Sequence, residues 1–220
     1  MTTADGSKTL FIPEMNEQYH SVNGAITESD YVFLEKGFRY HSANSPKVFE
    51  VGFGTGLNAL LTALEAEKTK RHTLFISIEK YSLNSEEIKL LNYGQILSTK
   101  AIEIFENLHT AEWEKEIQIS PYFRLQKTKA DLKSYDLPNS SDFDLVYFDA
   151  FGPDKQPAMW EKPVLEKIYR ACSNNAIFVT YSAKGEIRRR LENCGFRMER
   201  LPGPPGKRQM LRGTKISAFL

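Results

Sequence analysis

The amino-acid sequence predicts an α/β fold with a doubly wound, mostly parallel sheet. From Pro46 onward, runs rich in β-branched and aromatic residues alternate with segments of helical spacing, as successive βαβ units do. Those runs are short and apolar on both faces, as a sheet covered by helices on two sides requires. The first of them ends in a cluster of glycines that opens a helix, and open parallel sheets take up ligands at such strand ends.

At 220 residues the chain is long enough for one full-sized domain and short for two. Its 41% apolar and 26% charged residues are ordinary for a globular protein and exclude wholesale disorder. No apolar run approaches the roughly 18 residues of a membrane span. The start, MTTADGSKTLFIPEMNEQYH, lacks the basic-then-apolar pattern of a secretion signal. Cys172 and Cys194 have neither metal-ligand nor redox spacing and are expected as free thiols in a reducing cytoplasm. His20, His41, His72 and His109 are scattered without a zinc pattern, so no metal is expected.

Residues 1–45 are expected as an N-terminal extension. Within it, SVNGAITESDYVFLEKGF reads as a turn and a short helix, capped by Thr27 or Ser29 and ended by Gly37. Residues 46–220 form the main unit. KVFEVGFG is its first strand, and LNALLTALEAE a helix with Leu57, Leu60, Leu61 and Leu64 on one face. TLFISIEKY is the second strand, followed by the helical SEEIKLLNYGQIL. YFRLQKTKADL is the third strand, and FDLVYFDAF the fourth and most apolar. PVLEKIYRAC reads as a helix with proline in its first turn. AIFVTYS is the fifth strand, and GEIRRRLENCGF a helix closed by Gly195. RMERLPGPPGKRQMLRGTK reads as a hairpin of two strands, bringing the expected sheet to seven.

The net charge of +1 hides an asymmetry. Lys184 to Lys215 holds ten basic residues against three acids, a local +7 that leaves −6 on the rest. A basic end on an acidic body suits a polyanionic partner; a solvated helix face followed by a basic tail accounts for it equally well.

Glycines at 52, 54 and 56 in EVGFGTG let the chain turn tightly and leave backbone bare for a ligand. The spacing is G-x-G-x-G, not the G-x-G-x-x-G that cradles a dinucleotide pyrophosphate. Glu50, just ahead of the glycines, is expected to face the same crevice, where it would repel a pyrophosphate and welcome a cation. That charge preference favours S-adenosyl-L-methionine, whose sulfonium and ammonium are both positive. Glu79 ends the next strand 23 residues beyond Gly56, close to the roughly 20-residue spacing of a ribose-binding carboxylate. Asp131, after the third strand, is either an acceptor for the adenine amino group or a surface turn acid.

The loop DAFGPDKQPAMW follows the fourth strand. Its leading carboxylate, Asp149, is expected to emerge beside the glycine loop, making a transfer site of donor and acid at neighbouring strand ends. Pro153 and Pro157 stiffen the loop and lower the entropy of holding an acceptor in line. Phe151 could offer an aromatic face to a nucleobase and Lys155 could meet a phosphate; Trp160 is expected as a core anchor.

EVGFGTGLN, FDAFGPDKQPAMW and GPPGKRQML, with YHSVNGAITESDYVFLEKG upstream, resemble the methyltransferases that complete 5-methylaminomethyl-2-thiouridine at the tRNA wobble position. The resemblance runs from about Tyr19 to Arg212. It implies the class I, Rossmann-like methyltransferase fold, with residues 1–45 closing the active site, and an aminomethyl-uridine in the tRNA anticodon stem-loop as substrate. Many members carry a fused flavin-dependent oxidase; this chain ends at Leu220 without room for one and is expected as the stand-alone form. By the same resemblance Glu50, Gly52, Gly54, Gly56 and Asn58 line the donor pocket, with Glu79 on the ribose. Ser21, Gly24, Glu28, Ser29 and Tyr31 help close the site. Asp149 is the acid at the acceptor amine, and Lys207 and Arg208 lie near the anticodon backbone. Gly152, Gln156 and Gln209 depart from the alanine, asparagine and glutamate of many members, all on the acceptor side.

Two other classes compete. An aminopropyltransferase of the spermidine-synthase type also needs an acid after the fourth strand, but takes a small polyamine and has no use for a basic C-terminal face. A non-catalytic tRNA-binding module would have no use for the intact glycines and acids. The oligomeric state is left open.

Overall fold

The computed structural model describes residues 1–138 and 142–216. An N-terminal hairpin, β1 (Phe11–Ile12) and β2 (Glu17–Gln18), leads to α1 (Ala25–Ser29), which passes without a break into a π-helical stretch, Asp30–Phe38. The helix therefore starts earlier and runs longer than expected: Gly24 is its N-cap, Thr27 and Ser29 lie inside it, and Gly37 is buried rather than terminal. A Cβ at Gly37 would come within 3.2–3.4 Å of Val179, Tyr147 and Leu145, so the small residue there lets the helix lie close on the sheet.

The main unit follows as β3 (Lys47–Val51), α2 (Leu57–Thr69), β4 (Thr73–Glu79), α3 (Ser85–Lys89), α4 (Tyr93–Leu97) and α5 (Thr99–Thr110). Next come β5 (Glu116–Ser120), β6 (Phe123–Lys129), β7 (Phe143–Phe148), α6 (Lys162–Ala171), β8 (Cys172–Thr180), α7 (Gly185–Cys194), β9 (Phe196–Pro202) and β10 (Gln209–Lys215). The single helix expected over residues 85–97 is two, the first opened by an Asn84–Glu87 capping box. α5, capped by Ser98, and β5 were not among the expected elements.

Among the described residues the main sheet has eight strands, not seven, in the order β5-β6-β4-β3-β7-β8-β10-β9. The additional one, β5, pairs antiparallel with β6 at the edge. The five central strands are parallel, while β10 runs antiparallel to both β8 and β9. Alternate side chains feed two cores. Val48, Leu145 and Tyr147 pack beneath α1, α2 and α5, while Phe49, Val146 and Phe148 pack with Trp160, Ile168 and Leu191 beneath α6 and α7. The order reverses between β3 and β7, which places the ends of those two strands side by side at a switch point.

Candidate active site

At the switch point the Asp149 N–H donates to the Val51 carbonyl at 3.1 Å, and the Gly52 N–H to that of Ile78 at 2.9 Å. The glycine loop is thereby sewn to both neighbouring strands. Gly52 has φ 93°, and a Cβ there would approach the Asp149 carbonyl to 3.1 Å, so neither its conformation nor its neighbour admits a side chain. Gly54, at φ 49°, faces the Tyr19 ring, 3.1 Å from where its Cβ would be. Its N–H donates to Glu79 Oε2 at 3.0 Å, while Oε1 accepts from the Tyr81 N–H at 2.7 Å. Burial raises the Glu79 carboxyl above the ordinary range, and those backbone N–H groups partly offset it.

These strand ends open into a cavity of about 1090 Å³, at the upper end of single-ligand pockets and large enough for a donor and an acceptor together. Gly52, Gly54, Asn58, Glu79, Asp131, Asp149, Phe151, Lys155 and Lys207 all line it, with Ser21, Glu28 and Ser29 from the N-terminal segment. Glu50, Gly56, Gly24, Tyr31 and Arg208 do not. Glu50 departs most from expectation. It is 0% exposed, lies behind the glycine loop, and its Oε2 accepts from the Ser77 hydroxyl at 2.6 Å. β3 alternation turns Phe49 and Val51 to one core and Glu50 to the other side, so its carboxyl sits under α2.

Asp149 faces the cavity, and its Oδ2 accepts from Asn58 Nδ2 at 2.8 Å. Burial pushes its carboxyl up to about 8; the Asn58 bond opposes this, the Glu28 charge adds to it, and Lys207 opposes it. Glu28 accepts the Ser21 N–H at 3.1 Å and is paired with the Lys207 ammonium, which lies 4.1 Å from the Tyr181 ring centroid. Tyr181 in turn donates its hydroxyl to the Ala150 carbonyl at 2.9 Å. Lys155 spends its ammonium on the backbone carbonyls of Met15 (2.9 Å) and Asn16 (3.1 Å), tying the acceptor loop to the N-terminal hairpin. Phe151 meets the Tyr19 ring edge-on at 5.3 Å, and Tyr31 donates to the Pro202 carbonyl at 3.1 Å. Asp131 stays at the cavity wall, held by Lys80 at 3.1 Å and Lys133 at 3.6 Å. Trp160 is wholly buried and donates to the Phe151 carbonyl at 2.8 Å, the core anchor expected of it.

Sequence reasoning missed Tyr181, Tyr19 and His20. Tyr181 had a readable signal, since it follows the last residue of β8 and strand ends face the ligand. His20 had none: it is buried with Nε2 2.7 Å from the Thr55 hydroxyl, and burial lowers it to about 4, leaving it neutral. Both cysteines are buried and free. Among the described residues no helix is long and apolar enough to cross a membrane.

The basic segment divides in two. Lys184 pairs with Asp154, Arg188 with Glu192 at 2.8 Å, and Arg212 with Glu199 at 2.9 Å. Arg189, Arg197, Arg200 and Arg208 are exposed, with no ion pair among the described residues.

A parallel sheet ending in an antiparallel hairpin, with bare glycine backbone and a half-buried acid meeting at its switch point, defines a nucleoside-donor transferase. The chain belongs to the S-adenosyl-L-methionine-dependent methyltransferase family, whose model matches residues 93–216. It is 32% identical over its whole length to the tRNA 5-methylaminomethyl-2-thiouridine biosynthesis bifunctional protein MnmC of Leptospira interrogans serovar copenhageni, covering 36% of that protein. It is 31% identical over 92% of its length to the protein of the same name from Aeromonas hydrophila, covering 33% of it. The chain thus spans about a third of the curated relatives it matches. The crystal structure of MnmC2 from Aquifex aeolicus superposes with a TM-score of 0.81 at 26% identity, covering 99% of this chain and 70% of that one. The cofactor is S-adenosyl-L-methionine, and the site fits it: bare backbone at Gly52 and Gly54, a half-buried carboxylate at Glu79 and an acid beside the glycine loop at Asp149.

Proposed function

We propose that this chain methylates the primary amine of 5-aminomethyl-(2-thio)uridine at the wobble position of tRNA, giving 5-methylaminomethyl-(2-thio)uridine. Relatives named for that biosynthesis support the substrate class. The observation that carries the chemistry is Asp149, a half-buried carboxyl open to the cavity at the switch point. When bound, the cofactor supplies an electrophilic methyl group on a cationic sulfur.

The acceptor is an aliphatic amine, protonated near neutral pH and without a lone pair until it loses a proton. An ordinary aspartate is a poor base for it: taking lysine's pKa of about 10.4 for the amine, the transfer is roughly 9 kcal/mol uphill. With Asp149 held at about 8, the same transfer costs roughly 3 kcal/mol. Asp149 therefore attracts the ammonium, orients it and takes or relays its proton, after which displacement is a matter of alignment. Gly52, Gly54 and Asn58 hold the donor, Glu79 accepts from its ribose hydroxyls and Asp131 serves the adenine end. Phe151 stacks on the uracil.

On this reading residues 1–45 close the site, held down by Lys155, Lys207 and Tyr31. The anticodon stem-loop lies across the exposed arginines, Arg208 included, and the protein works in the cytoplasm. Incubation of hypomodified tRNA with the protein and S-adenosyl-L-methionine, followed by mass analysis of its nucleosides, tests the proposal. A gain of one methyl on the wobble aminomethyl-uridine is expected; methylation elsewhere, or turnover only with the decarboxylated donor and a polyamine, would overturn it.

A further inference from the structure

Two buried polar atoms near Asp149 have no hydrogen-bond partner among the described residues: Glu50 Oε1 and Asn58 Oδ1. They belong to neighbours, since the Asn58 side chain lies close enough to Glu50 to act on its carboxyl. Asn58 Nδ2 is already committed to Asp149 Oδ2 at 2.8 Å, and Glu50 Oε2 to the Ser77 hydroxyl at 2.6 Å. An amide nitrogen carries two donor hydrogens, while the amide oxygen and an ionised carboxylate only accept. Asn58 Nδ2 reaches Asp149 but neither oxygen of Glu50 in hydrogen-bonding geometry, so Asn58 links the two carboxyls only where Glu50 carries a proton for Oδ1. With both ionised, Glu50 Oε1 and Asn58 Oδ1 would be two buried acceptors left without a donor, a costly arrangement away from water.

The surroundings decide which carboxyl holds the proton. Glu50 is 0% exposed; the charged or titratable groups acting on it are Asp149, Glu79 and the Tyr147 phenol, and none is a cation. Burial raises it well above the usual carboxylate range, and Asp149 raises it further. Asp149 faces Glu28, Lys207 and Tyr181, so a cation lies on its side of the bridge, and it borders the cavity that takes the cationic ligands.

We propose that Glu50 is a proton-bearing positioning residue: its un-ionised carboxyl donates from Oε1 to Asn58 Oδ1 and fixes the amide with Nδ2 turned to Asp149, leaving Asp149 as the one carboxyl free to ionise toward the acceptor. Both orphaned atoms are satisfied by that single proton. Glu50 then contributes no charge to donor binding, which reverses the role its place before the glycine loop suggests. The proposal rests on the reading of Asp149 as the acceptor-side acid, and its decisive readouts require no tRNA.

Isotope-edited infrared spectroscopy of the intact protein with S-adenosylhomocysteine at pH 8 tests it. An un-ionised carboxylic acid band is expected that moves with carboxyl-labelled glutamate and vanishes in Glu50→Gln. Absence of the band, or its movement with labelled aspartate alone, would overturn the proposal. A glutamine at position 50 can donate to Asn58 Oδ1 and accept from Ser77 as the protonated acid does. Glu50→Gln should thus bind S-adenosylhomocysteine within twofold of wild type, and a tenfold or greater loss would show an ionised, donor-binding Glu50 instead. In turnover, Glu50→Leu should lower kcat at least tenfold and Glu50→Gln restore it to within threefold. Equal loss in both variants would refute positioning through a proton. If Glu50→Leu does not fold, the infrared band and the glutamine variant decide alone. Failure to methylate wobble uridine with those two readouts intact would overturn the substrate reading and leave the Glu50 proton standing.

Discussion

Lys207, on the loop between the last two strands, reaches back to Glu28 on the first helix, 179 residues earlier. The pair joins the C-terminal hairpin to the N-terminal segment over the cavity, with Lys207 32% and Glu28 11% exposed. Being only partly exposed, it should lie in the upper part of the surface-pair range; a double-mutant cycle on Lys207→Met and Glu28→Gln should give a coupling of about 0.5–1 kcal/mol. Lys207→Met should raise KM for the acceptor several-fold while S-adenosylhomocysteine affinity stays within twofold. Loss of cofactor binding instead would place the clasp on the donor side.

Such long-range ties explain what the sequence could and could not convey. The strand and helix alternation was legible because burial on two faces leaves apolar runs, as in Leu145–Phe148. Asp149 was legible because the end of that run is a topological address. The contacts of Lys155 with Met15 and of Lys207 with Glu28 carry no local signature, and both lysines read as candidate phosphate ligands. Glu50 misled for a related reason. Its place before the glycines suggested a crevice-facing acid, whereas strand alternation buries it behind the loop. β5 escaped because EIQIS is short and half exposed at the sheet edge.

Asp149→Asn should separate binding from chemistry. Asparagine still accepts from Asn58 but cannot take a proton, so S-adenosylhomocysteine affinity should stay within threefold while kcat falls by about 10²-fold or more. If donor affinity collapses with turnover, Asp149 belongs to the donor pocket. In the wild type, kcat/KM should rise with pH through the range up to about 8, as Asp149 ionises.

The same residue predicts a pH-dependent stability difference. The Asp149 carboxyl stands at about 8 in the fold against an ordinary 3.8, so the folded state holds a proton that the unfolded chain has released. Its contribution is intact below pH 4, declines as pH rises to about 8, and is fully lost above. Asp149→Asn removes that penalty. In the ligand-free protein the variant's stability advantage over wild type should grow from pH 5 to pH 8 by about 3–4 kcal/mol, a Tm difference of roughly 6–15 °C. A difference that shrinks over that range would mean the carboxyl is ionised and satisfied in the fold.

At the glycine loop, Gly52→Ala and Gly54→Ala should differ in their remedies. Both force a non-glycine residue into positive φ, at about 1–2 kcal/mol. The added methyl at Gly52 meets the Asp149 backbone carbonyl at 3.1 Å, which cannot yield without moving the acid, so donor affinity should fall at least tenfold with no second-site cure. At Gly54 the obstacle is the Tyr19 ring, and Tyr19→Leu should recover part of the loss. Calorimetry with S-adenosylhomocysteine measures both, and equal rescue of the two variants would show that crowding at Tyr19 is not the cause.

The arginines divide by whether their charge is already spent. Arg212 is paired with Glu199 at 2.9 Å and stacks 3.5 Å from the Tyr40 ring centroid, so Arg212→Gln should lower stability more than tRNA affinity. Arg189, Arg200 and Arg208 are exposed and without ion pairs among the described residues, which leaves them free to meet phosphates. Each released phosphate contact contributes about 0.7–0.9 to the slope of log affinity against log salt. Replacing all three with glutamine should flatten that slope by about 2 and leave S-adenosylhomocysteine binding and Tm unchanged. A slope that stays put, measured by filter binding of tRNA between low and moderate salt, would move the nucleic-acid face elsewhere on the molecule.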